Sequence, residues 1–222
     1  MRQYICPSCG AEIGFRSSIS VSCVCQFCKS LVVRRDKDVE AFGQMAELPD
    51  DISPFQIGTS GKFGLVTFTI IGRMKIGWED GCWNEWFLYF DDGKRGWLAE
   101  AQGTLAISFE KTDQVPLAEP PLGEVIYLDK IPFTVTDIKS TECVGMEGEL
   151  PIVAQPGRKA RMVDLMTGHG DFASIEYAEL GPARVYVGTY VEFDECGFSN
   201  LRDLPGWKIS RPATTPTARS RL

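Results

Sequence analysis

The sequence predicts an all-β protein: an N-terminal zinc ribbon followed by two tandem, pseudo-symmetric small β-barrel or β-sandwich modules. Three observations point there. Two C-x-x-C pairs lie near the start, aromatic and β-branched residues fill short alternating runs punctuated by glycine, and no amphipathic run exceeds about three helical turns.

Residues 1–35 form the predicted ribbon. Cys6-Pro7-Ser8-Cys9 and Cys25-Gln26-Phe27-Cys28 are separated by fifteen residues, and each C-x-x-C turn aims two sulfurs at one point, as a tetrahedral zinc site requires. Cys6, Cys9, Cys25 and Cys28 are the expected ligands of one structural Zn2+ per chain. Cys23 offers a third sulfur beside the second pair; Cys25 is preferred because, with Cys28, it repeats the spacing of Cys6 and Cys9. A closed four-thiolate site leaves no position for water, so it clips a small module together and does not catalyse. Cys82, Cys143 and Cys196 are scattered singles, which is not a disulfide framework.

Residues 36–54 read as a connector with a short helix, because Val39, Phe42 and Met45 or Ala46 recur at helical spacing before Pro49. Residues 55–110 make the first β module. Its centre is the hairpin Trp83 to Ala101, with turn chemistry at Asp91-Asp92-Gly93. Alternation puts Trp86, Leu88 and Phe90 on one face and Trp83, Glu85, Phe87 and Tyr89 on the other, and neither face can stay wet. Residues 111–122, with Pro116, Pro120 and Pro121, are a linker, and residues 123–206 are the second β module. Phe68-Thr69-Ile70-Ile71 is echoed by Phe133-Thr134-Val135-Thr136, Trp83 to Trp86 by Glu147 to Leu150, and Asp91 to Gly93 by Asp164 to Gly168. These echoes predict a divergent duplication. Residues 207–222 are a flexible basic tail.

Charge is uneven: +3 over residues 1–38, −14 over 39–206 and +4 over 207–222. So acidic a body disfavours nonspecific nucleic-acid binding. No window approaches the ~18 apolar residues of a spanning helix, and no signal peptide is visible, so a cytoplasmic protein is expected. The tail lacks an apolar face and would attach only weakly to anionic lipid.

The chain resembles an uncharacterised bacterial family, domain of unknown function 4178, whose members are often preceded by a zinc ribbon. The resemblance rests on Ile71-Gly72-Arg73, Trp83-Asn84-Glu85-Trp86, Gly96-Trp97-Leu98, Glu147-Gly148-Glu149-Leu150-Pro151, Val163-Asp164-Leu165 and Phe172 to Tyr177. It implies no established reaction. It implies only a setting among envelope-stress and polyamine-linked genes.

Catalytic groups cannot be nominated together. His169, the sole histidine, sits between glycines in a turn, and no nucleophile elbow accompanies it. A non-enzymatic protein is expected. The candidate binding residues are Trp83, Glu85, Glu147, Glu149 and Asp164, acidic and aromatic groups suited to a cation. An extended backbone would place Glu147 and Glu149 on one face, where they bind a ligand or pair with Arg158, Lys159 or Arg161. The first expectation is a zinc-binding scaffold or adaptor that recognises a partner protein in a bacterial envelope-stress assembly. The alternative is a sensor or carrier for a cationic small molecule such as a polyamine.

Overall fold

The computed structural model describes residues 2–35, 38–45, 48, 51–112, 116, 118–179 and 181–205; among them are fifteen strands and no helix. The all-β class is as the sequence predicts, and so is a cysteine cluster at the N-terminus. The basic tail, 207–222, lies outside the described residues.

The N-terminal module is two hairpins, β1 (Arg2–Ile5) with β2 (Glu12–Phe15) and β3 (Ser22–Val24) with β4 (Ser30–Arg35), each carrying one cysteine pair in its turn. The expected helix after it is instead strand β5 (Asp38–Gln44), paired antiparallel with β4. Ala46, part of that helical pattern, lies outside the described residues. Two helical turns cannot repay their own nucleation, whereas the open edge of β4 satisfies every second backbone group of a passing segment.

The body comprises β6 (Ser60–Phe63), β7 (Val66–Trp78), β8 (Gly81–Phe90), β9 (Arg95–Ala101) and β10 (Thr104–Lys111). A second set follows: β11 (Val125–Leu128), β12 (Ile131–Leu150), β13 (Lys159–Met166), β14 (Phe172–Ala178) and β15 (Arg184–Val191). The two sets share one plan. Each begins with a tight hairpin, β6–β7 or β11–β12, and continues as an antiparallel meander. Each first long strand carries an irregularity at the same place, between Ile70 and Gly72 in β7 and between Val135 and Asp137 in β12, at the last residue of each echoed Phe-Thr segment. The turn after β8 likewise matches the turn after β13. The second echo does not hold, because Trp83 to Trp86 lies on β8 whereas Glu147 to Leu150 ends β12.

The sequence places these two halves as neighbouring modules; the pairings join them into one barrel. β10 pairs with β15 and β7 with β12, so the ring β7-β8-β9-β10-β15-β14-β13-β12 closes with every neighbour antiparallel. Alone, either meander would expose two unpaired edges, and meeting first strand to first and last to last removes all four. The length of β12 permits this: Glu142 pairs with Lys159 of β13 on one side and Gly77 of β7 on the other.

Both faces of the β8 hairpin are covered, in the predicted split. Trp86, Leu88 and Phe90 pack outward against Phe55 and the segment carrying Phe193 and Phe198. Phe87 faces inward, in a cluster with Trp97 and Met74 that continues through Leu150 to Leu31 and Val33 of the N-terminal module. That module is docked by polar contacts too. The Glu149 carboxylate accepts the Arg16 amide at 2.8 and 2.9 Å and the Ser17 amide at 3.3 Å, and the Val21 N–H donates to the Leu150 carbonyl at 2.9 Å.

At the β7–β12 seam Gly72 faces Gly148. A Cβ on Gly72 would sit 1.8 Å from the Glu149 carbonyl oxygen, a backbone atom that cannot step aside. Gly72→Ala is therefore expected to cost about 3 kcal/mol in urea denaturation. Gly168→Ala, whose Cβ would meet open space, should change stability by no more than about 0.5 kcal/mol.

Candidate metal centre and candidate ligand site

The cysteine cluster is made by one local device used twice. The Gly10 N–H donates to the Cys6 carbonyl and the Lys29 N–H to the Cys25 carbonyl, both at 2.9 Å. Gly10 (φ 75°) and Lys29 (φ 58°) take the left-handed conformation that turns the chain back after the second cysteine. All four Sγ atoms then lie within 4.8 Å of one another, Cys6 to Cys28 at 3.7 Å and Cys9 to Cys25 at 3.8 Å. A tetrahedron with 2.3 Å metal–sulfur bonds has edges of about 3.8 Å, so these residues could hold a metal ion. Cys23 stays outside the group. It is buried in β3 opposite Glu149, and burial pushes its thiol up to about 12.

The second site is the barrel lumen. Ile76, Glu85, Trp97 and Ser108 from β7 to β10, with Thr141, Met162, Glu176 and Tyr186 from β12 to β15, enclose a cavity of about 60 Å3. One residue comes from every strand of the ring. Two of the predicted binding residues, Trp83 and Glu85, line it, and the third, Asp164, lies beside it with its side chain partly exposed. Trp83 donates its indole N–H to Glu85 at 2.8 Å. Asp164 accepts the Ser174 hydroxyl at 3.0 Å and pairs with Lys139 at 3.0 Å, and the Lys139 ammonium lies 5.9 Å from the Trp83 ring centroid. Deeper in, Arg158 pairs with buried Glu176 at 2.6 Å.

Glu85 differs from its neighbours. Among the described residues no cation pairs with it, and desolvation, reinforced by the negative charges of Asp164 and Glu176, pushes its pKa up to about 7. Burial opposes charge on Lys139 as well, yet Asp137 and Asp164 hold its pKa above the ordinary lysine range.

The other two predicted residues lie elsewhere. Gly148 adopts φ 65° between them, which breaks the alternation that would have aligned their side chains. Glu149 is spent on the Arg16 and Ser17 amides, and Glu147 lies half-exposed, 3.8 Å from Arg73. Arg158 and Arg161 pair with Glu176 and Glu119 instead. His169 is exposed in its turn, Cys82 is exposed, and Cys143 and Cys196 are buried.

Sequence reasoning passed over Glu176, Lys139 and Ser108, and gave Arg158 other partners than Glu176. The alternation of Ser174 and Glu176 with Ala173 and Ile175 in β14 reads as a solvated polar face, and only the burial of both faces in the structure shows that this polar side is enclosed. Also missed was a buried polar network outside the barrel. Arg73 reaches Asp51 and Asn84, Lys75 reaches Asp51 at 3.1 Å, Asn84 and Trp86 both donate to Glu100 at 3.0 Å, and Arg202 reaches Asp51 at 3.3 Å. Burial alone would raise the Asp51 pKa, but Arg73 and Lys75 hold it below the usual carboxylate range. This network latches residues 51–53 and 202 onto the wall.

A carboxyl whose folded pKa is raised contributes its full stability below its unfolded value and loses it as pH rises through the folded one. For Glu85 that window runs from 4.5 to about 7. Glu85→Gln removes the loss, so between pH 5 and pH 8 the melting temperature of the parent should fall by about 5 °C relative to the variant.

A family model described as "Domain of unknown function (DUF4178)" matches residues 56–193, which take in both strand sets and none of the cysteine cluster. No curated protein and no solved structure matches the chain. The barrel is the portion matched, and the chain belongs to the DUF4178 family of domains of unknown function, with a cysteine-bearing module docked at its N-terminal end.

Proposed function

We propose that this protein is a non-enzymatic, cytoplasmic binding module that holds a small organic cation in its barrel lumen, with a structural zinc ion in the four-cysteine site. The observation that carries the reading is Glu85. Of the carboxylates in and beside the lumen, Asp164 shares Lys139 with Asp137 and Glu176 holds Arg158, whereas Glu85 has only the Trp83 N–H. A partly buried carboxylate that lines a cavity without a counter-charge is costly, and a ligand cation would supply what is missing. The faces of Trp83 and Trp97 add ring surfaces that attract cations. Zinc is favoured at the other site because four thiolates at tetrahedral spacing match its preferred closed coordination.

The adaptor reading has one observation in its favour: Phe27, in the second cysteine pair, is 73% exposed and available as an anchor. No described tryptophan is exposed.

Calorimetric titration with putrescine should give saturable binding that Glu85→Gln abolishes. Binding unchanged in that variant would overturn the lumen assignment. Metal analysis of folded protein should return about one zinc per chain, and less than half an ion would remove the zinc assignment. A stoichiometric protein partner lost on Phe27→Ala, with no amine binding, would favour the adaptor.

A further inference from the structure

We infer that the lumen takes up one protonated amine head group in exchange for the proton of Glu85. This rests on the lumen reading above and adds to it the class of ligand, the size of the part that enters, and the ion released.

Size sets the first limit. A cavity of about 60 Å3 equals the liquid volume of roughly two waters. It admits an ammonium group with a methyl or ethyl stem, but not a whole polyamine, so a longer amine would enter by one end. The wall sets the second. Ser108 on β10 is 6% exposed and borders the cavity, and no hydrogen bond from its hydroxyl to another described residue is present. With the Glu85 carboxylate it gives the cavity two oxygens able to accept from an ammonium group, against the apolar surfaces of Met74, Ile76 and Trp97.

Charge sets the third. The groups facing Glu85 can be counted strand by strand. β12 brings Lys139, already shared by Asp137 and Asp164, and Cys143, whose thiol burial pushes up to about 11. β13 brings Asp164, and β14 brings Glu176, which is held by Arg158. β15 brings the Tyr186 phenol, also raised by burial. β7, β9 and β10 offer the cavity Met74, Ile76, Trp97, Ala99 and Ser108, none of which carries charge. Lys139 with Asp137 and Asp164 leaves one negative charge and Arg158 with Glu176 leaves none, so the filled and empty lumen have equal charge only if the arriving cation displaces a proton. Glu85 is the group that holds one near neutrality. The exchange balances: amine cation plus neutral Glu85 gives amine cation paired with the carboxylate, and the proton passes to solvent.

The test is titration calorimetry with methylamine, ethylamine and putrescine hydrochlorides, each in two buffers of different ionisation enthalpy, from pH 6 to pH 8. The buffer difference gives protons released per amine bound. About 0.9 is expected at pH 6, about 0.5 at pH 7 and about 0.1 at pH 8, with affinity falling towards tenfold per pH unit below pH 7. Tetramethylammonium, too large for the cavity, should not bind. Ser108→Ala should weaken binding several-fold and leave the proton count unchanged. Amine binding with no proton release at pH 6 would overturn the exchange while leaving the lumen reading intact. Absence of binding by every amine would overturn both. Should Glu85→Gln fail to fold, the proton count on the parent protein decides alone.

Discussion

Two glycines face each other where β7 meets β12, and the barrel closes because neither carries a side chain. At Gly72 a Cβ would overlap the Glu149 carbonyl, and at Gly148 it would approach the Ile71 carbonyl to 2.3 Å. This contact is also where the N-terminal module attaches, since Glu149 and Leu150 pair with β3 immediately beyond the seam. Sheet closure, docking of the cysteine module and the left-handed Gly148 of the longest strand thus meet within a few residues. If this approach were lost, the meanders would present open edges and the lumen would have no wall on that side.

Closure then gives the two halves of the duplication different work. By register, Met74 opposite Glu85 in the first half corresponds to Lys139 opposite Met162 in the second, and Phe87 opposite Trp97 corresponds to Asp164 opposite Ser174. The same inward positions are largely apolar and aromatic in one half and polar in the other. A duplicated meander whose copies had stayed alike would enclose an all-apolar core or an unsatisfiable cluster of like charges. Divergence instead yields a cavity with one greasy wall and one charged wall, the usual composition of a small-molecule pocket.

Among the described residues, the buried charged groups outside the lumen are occupied by comparison. Arg73 and Lys75 are buried but share Asp51, and the Arg73 guanidinium stacks 4.8 Å from the Trp86 ring centroid. The stretch Trp83-Asn84-Glu85-Trp86 therefore serves two environments through strand alternation. Asn84 and Trp86 hold the outer latch, and Trp83 and Glu85 face the cavity. Adjacent residues of a single motif do different work because their side chains leave opposite faces of one strand.

What the sequence determined by itself was local. The cysteine spacing defined the cluster, the aromatic alternation of β8 defined its two buried faces, and the Phe-Thr echoes marked the equivalent strands, since each depends on residues a few positions apart in the chain. The helix expected after the ribbon failed because helical spacing over two turns carries no information about a neighbouring strand edge. Pairing of Glu147 with Glu149 failed because a glycine in a left-handed conformation between them is invisible in a period-two pattern. Closure of two modules into one barrel, the ion pairs of Asp164 and Glu176, and the isolation of Glu85 were decided only by the tertiary structure. They rest on contacts between residues far apart in the chain, and whether a carboxylate is paired, solvated or stranded depends on which strands its neighbours belong to.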